Sequence, residues 1–167
     1  MLQACGGDDL TSEDHVRKAQ ELLEDSRDQY AAVKQGKETA AIAELKAALK
    51  KDRNNAQINL FLGKVYFELG AWEDAEPKLS QALDLGADAA SVIPMLAQVL
   101  LGIEEFKKLE SLSFDGLGPE DRSIVQAAKA LAMLYREKPE LAAEIMDSAL
   151  QNVPLSPYAE PKCPFPH

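Results

Sequence analysis

The sequence predicts an all-α chain, a right-handed superhelical solenoid of about four helical hairpins. Three observations carry that expectation. First, residues 55–86 read as two helices around a tight turn, Leu69-Gly70-Ala71-Trp72, where Gly70 can take the positive φ that ends a helix. Second, small residues stand where those helices would cross, Gly63 on the first and Ala75 on the second. Leu62, Tyr66, Trp72 and Leu79 are the large neighbours that fill the space beside them. Third, the pattern recurs at a period of about 34 residues. One period back, Gly70, Ala75, Leu79, Ala82 and Leu83 fall on Gly36, Ala41, Leu45, Ala48 and Leu49. One period on, Ile58, Leu62, Gly63, Val65, Tyr66 and Trp72 fall on Val92, Leu96, Ala97, Val99, Leu100 and Phe106.

Taken in order, residues 1–12 stand apart from the rest. Leu2-Gln3-Ala4-Cys5-Gly6 resembles a bacterial lipobox, with Cys5 as the lipidated residue and Gly6 to Asp9 as a flexible tether. Gln3 departs from the usual small or β-branched residue, and the reading requires a signal segment upstream of Met1. The repeat domain is expected over 13–154, in hairpins of about 13–54, 55–88, 89–118 and 119–154. In the first, Ser12 or Thr11 caps a helix over 13–35, with Glu13 and Asp14 in its first turn. Val16, Ala19, Leu22, Leu23, Tyr30 and Val33 form its apolar face, and His15 is expected at the surface. Its partner is 38–51, rich in strong helix formers.

The third hairpin is degenerate. Pro94 sits near the start of its first helix, and its second, about Glu104 to Leu112, is short. Phe114-Asp115-Gly116-Leu117-Gly118-Pro119 then breaks the helix. In the fourth, Leu131, Ala132 and Tyr135 take the slots of Leu96, Ala97 and Leu100, shifted by 35 residues, which implies a turn about two residues tighter. Ala142, Met146, Ala149 and Pro154 complete it. Residues 155–167, with four prolines, read as a disordered or extended tail.

The order Leu-Gly-x2-Tyr followed by Ala-x3-Leu-x2-Ala resembles the tetratricopeptide repeat. Asn59 stands in the slot where that signature has Trp or another large apolar residue. More specifically, residues 40–56, AAIAELKAALKKDRNNA, and 60–101, from LFLGKVYFELG to PMLAQVLL, look like the N-terminal part of the tetratricopeptide lipoproteins of the PEP-CTERM (exosortase) system. The resemblance spans residues 2–158. It implies a membrane-anchored scaffold on the periplasmic face of the outer membrane, tied to exopolysaccharide production and surface-protein sorting.

Composition limits the alternatives. Among 167 residues, 28 acids against 18 bases give a net charge of −10, which disfavours nucleic acid and anionic lipid as direct partners. Contact with membrane is expected only through the lipid anchor. The two histidines, His15 and His167, lie at opposite ends, as do Cys5 and Cys163, so neither a catalytic constellation nor a metal cluster is indicated. Glu73-Asp74 and Glu104-Glu105 read as helix-start acids. No cofactor is expected and no enzymatic activity. The expected function is protein or peptide binding in a groove built by the first helices. Its predicted lining is Arg27, Tyr30 and Lys34, then Gln57, Phe61, Lys64 and Phe67, then Gln98, and finally Lys129, Met133 and Arg136. That set is basic and aromatic and suits an acidic segment; the plainer alternative is a solvated mixed face. A structural element that self-associates through its repeats is the second functional reading.

Overall fold

The computed structural model describes residues 10–27 and 31–152. Among them every regular element is a helix: α1 Ser12–Ser26, α2 Ala31–Lys51, α3 Ala56–Glu68, α4 Trp72–Asp84, α5 Ala89–Gly102, α6 Phe106–Ser111, α7 Pro119–Tyr135 and α8 Pro139–Asn152. They pair in sequence order as four antiparallel hairpins, and each hairpin packs on the next through α2–α3, α4–α5 and α5–α7. The chain is thus a superhelical solenoid of about four hairpins.

The ends of the helices follow from local chemistry. The Thr11 hydroxyl accepts from Asp14 N–H at 3.1 Å while the Asp14 carboxylate accepts from Thr11 N–H at 3.1 Å, a reciprocal capping box that fixes the start of α1. Asn55 caps α3 and Asp88 caps α5 in the same role. Pro119 opens α7 at the one place where its missing N–H costs nothing. The exit from α3 is a double bond pattern: Gly70 N–H donates to Phe67 O and Ala71 N–H to Tyr66 O, with Gly70 at φ +70°. The same pair closes α5 at Glu104–Glu105 and α7 at Glu137–Lys138. There the left-handed residue is a glutamate, at φ +60° and +57°.

Leu79 lies directly on Gly63, where an added Cβ would come within 2.8 Å of its side chain. Leu79, Leu62, Ala75 and Ala82 are fully buried in this crossing. Asn59 is also fully buried; its amide donates to Asn55 O at 3.0 Å and its Oδ1 has no hydrogen bond.

The structure corrects two expectations about the first hairpin. α1 ends at Ser26 and α2 begins at Ala31, so Gly36 lies inside α2. Gly36 does not take a positive φ, and its match to Gly70 is a coincidence of spacing. The flanking helix formers outweigh the roughly 1 kcal/mol that an interior glycine costs. The pairs His15–Glu44 and Lys37–Asp25 match the antiparallel register of α1 on α2, and Ala19 and Ala41 are both fully buried in the first hairpin. His15, expected at the surface, is 1% exposed with Nδ1 2.7 Å from Glu44 Oε2. Its Glu44 partner lies on the other helix, out of reach of a local reading.

Candidate partner groove

The first helices of the hairpins, α1, α3, α5 and α7, line the inner face. Gln57, Phe61 and Lys64 are brought together between α1 and α3, where Gln20 and Arg27 complete the wall. Glu24, Glu38 and Glu68 stand beside Arg27 and Lys64, so this end of the groove is polar and of mixed charge. Phe67 and Gln98 line a larger concavity of about 830 Å³ between α3, α5 and α7. Its other walls are Trp72, Leu101, Ile124 and Leu131. Lys34, expected on the first helix, falls in α2. Its side chain lies outside the described residues, as do Tyr30 and Cys5.

Lys129, Met133 and Arg136 do not face the groove. Met133 is buried against Ala130, Ala142 and Ile145 at the α7–α8 crossing. Lys129 Nζ donates to Glu110 O at 3.0 Å and Leu112 O at 2.8 Å, and it lies 4.5 Å from the centre of the Phe114 ring. Burial pushes its pKa down. Arg136 pairs with Glu110. These two cations therefore tie α7 to the C-terminal end of the short α6, whose last carbonyls lack helical partners.

The physical reason is the register of the fourth hairpin. Glu137 and the Lys138 N–H to Met133 O bond reproduce Gly70 and the Ala71 N–H to Tyr66 O bond. Counting back from that turn, Ala130 takes the place of Gly63, not Ala132, and it packs on α8 with Ala142. Ala132 belongs to the main core instead. The turn has the same length as in the second hairpin. The groove positions of α7 then become Ile124, Ala128, Leu131 and Leu134, and the first three line the large concavity. Ile124 and Leu131 were missed because Leu131-Ala132-x2-Tyr135 imitates the signature two residues out of place. Aligning the turn first would have found them.

Among the described residues there is no cluster of three or more metal-ligating side chains, and no helix is long and apolar enough to cross a membrane.

The class that this fold defines is the α-helical hairpin solenoid. The family model described as Tetratricopeptide repeat matches residues 32–99, from α2 through most of α5. Among solved structures, one titled MamA MSR-1 C2 is similar, with a TM-score of 0.63, 16% sequence identity, and coverage of 90% of this chain and 80% of that one. The comparison with curated proteins gives no match.

Proposed function

We propose that this chain is a non-enzymatic scaffold that binds a segment of a partner protein along the inner face of its solenoid. The observation that carries the reading is the concavity between α3, α5 and α7, in which Phe67, Ile124 and Leu131 stay accessible inside a helical stack. The match of residues 32–99 to a repeat whose stacked hairpins form concave binding surfaces supports it. The test is capture from a cell-envelope extract with wild type and with Phe67→Arg/Leu131→Arg. The double variant should lose the partners that wild type retains. Equal recovery by both proteins would remove the inner face from the mechanism.

In its finer form the reading has the scaffold held to the periplasmic face of the outer membrane by lipid on Cys5, and working in exopolysaccharide production and surface-protein sorting. Its support is the Leu2–Gly6 pattern and the resemblance over residues 2–158. With a signal segment supplied, wild type should fractionate with membranes and Cys5→Ser with soluble protein. Identical fractionation of the two overturns the anchor.

A second reading, self-association through the repeats, is favoured by the outer side of α8. Met146 and Leu150 are 42% and 68% exposed, whereas Leu83, at the place of Leu150 in α4, is half-buried against the main core. α4 is covered by α5, and no described helix follows α8. Sedimentation of wild type against Leu150→Glu decides it: an oligomer abolished by the substitution supports this reading, and a monomer in both removes it.

A further inference from the structure

We infer that the concavity between α3, α5 and α7 is a docking pocket for an apolar side chain of a peptide segment that carries a basic residue next to it. The inference rests on the scaffold reading and adds the chemistry of the bound segment.

The pocket has a built wall. The Trp72 indole lies over Gly102, where an added Cβ would overlap the ring. The same place one hairpin later is filled by Phe106 stacked on Tyr135, with ring centroids 6.0 Å apart and planes at 25°. At Trp72 the second ring is replaced by bare backbone, so the indole is held on Gly102 while 40% of the residue stays accessible. Across from it Ile124 and Leu131 are 40% and 46% exposed. A concavity of about 830 Å³ walled by aromatic and aliphatic groups suits one or two apolar side chains.

The rim supplies the sign of charge. Glu68 and Glu104 are the charged residues that line this pocket and both are exposed; Glu68 also borders the neighbouring recess that holds Arg27 and Lys64, so Glu104 is the carboxylate set apart from those cations. The cations of α7 and its C-cap are directed elsewhere, Arg122 to the Leu117 carbonyl, Lys129 to the carbonyls of Glu110 and Leu112, and Arg136 to Glu110. A segment entering here meets apolar walls under an acidic rim, which attracts a lysine or arginine and repels a carboxylate.

Trp72 is the single tryptophan, so its emission reports on this pocket directly. The probe is an N-acetylated, C-amidated peptide of about seven residues with leucine and phenylalanine between two lysines. The control peptide has glutamates in place of the lysines. The lysine peptide should shift the Trp72 emission saturably at low salt, with an affinity about ten-fold above the control, a gap that narrows as salt is raised. Glu68→Gln/Glu104→Gly should close most of that gap without lowering Tm, because glycine relieves the left-handed backbone at position 104. Leu131→Glu, at an exposed position, should abolish the shift for the lysine peptide. Equal affinity for both peptides overturns the charge selection. A shift that grows with protein concentration alone means that a second copy fills the pocket, and overturns the inference. No shift with either peptide, while the protein still captures partners through its inner face, overturns the pocket and leaves the scaffold reading standing.

Discussion

Glu44 is the residue on which the first hairpin closes. Lys18 Nζ approaches one of its oxygens at 2.5 Å and His15 Nδ1 the other at 2.7 Å. The Lys18 hydrogen bond, and after it the His15 bond, hold the Glu44 carboxyl below the ordinary carboxylate range. A carboxyl depressed in the folded state contributes stability above its unfolded pKa, and that stability is lost as pH falls through the folded value. Glu44→Gln should therefore cost about 1–3 kcal/mol at neutral pH. It should also flatten the decline of Tm on the acid side of the carboxylate range; parallel acid limbs for the two proteins would show that Glu44 is not a source of that decline. Asn59 is the opposite case. It buries an amide oxygen without a partner in a slot that suits a large apolar side chain. Asn59→Leu is predicted to raise stability by about 1 kcal/mol in denaturant unfolding, since it replaces a desolvated acceptor by a larger apolar side chain of the same branched shape. A loss of stability instead would mean that the Asn59 bond to Asn55 outweighs the buried acceptor.

Among the elements, the turns that end the first helices are the recurring unit. Gly70, Glu104 and Glu137 occupy one conformation, and a side chain there costs roughly 1–2 kcal/mol relative to glycine. Glycine gives part of that back through the extra freedom of the unfolded chain. Gly70→Ala should thus lower Tm and Glu137→Gly should raise it, each by the equivalent of about 1 kcal/mol or less. Opposite signs at the two positions are the signature of a shared backbone shape; changes of the same sign would refute it. The shortest element, α6, also has a structural consequence. With six residues it cannot cover α7 as α4 covers α5, so α7 meets the preceding hairpin mainly through α5. Lys129 and Arg136 then serve to bind α6 to α7, which takes the expected basic residues out of the groove and leaves its far end apolar.

At the scale of the whole molecule the stack is uneven. The main buried cluster runs from Ala19 on α1 to Ala132 on α7, while Ala130, Met133 and Ala142 form a small separate one under α8. In a solenoid each hairpin is stabilised by its own core and by its neighbours, and α8 has a neighbour on one side only among the described residues. Amide hydrogen exchange should therefore be slowest in α3 to α5 and fastest in α8, with α7 between them. Uniform protection across all eight helices would show that the hairpins open as one unit.

The sequence by itself determined the repeat period, the turn at Gly70, the close crossing at Gly63 and the short second helix of the third hairpin. Each depends on one residue and its near neighbours: a left-handed φ, a missing side chain, a helix too short to propagate. Gln57, Phe61, Lys64 and Phe67, which lie within a turn or two of that crossing, and Gln98, one period on from Lys64, line the recesses between the first helices. Only the tertiary structure decided where α1 ends and α2 begins, because Gly36 is acceptable both in a turn and inside a helix. Only the tertiary structure buried His15, whose carboxylate partner is on the facing helix. The register of α7 was open for the same physical reason. Ala128, Ala130 and Ala132 are all small enough to sit at a crossing, so the choice among them belongs to the helix packed against them. Ala142 on α8 selects Ala130, and with it the apolar end of the groove.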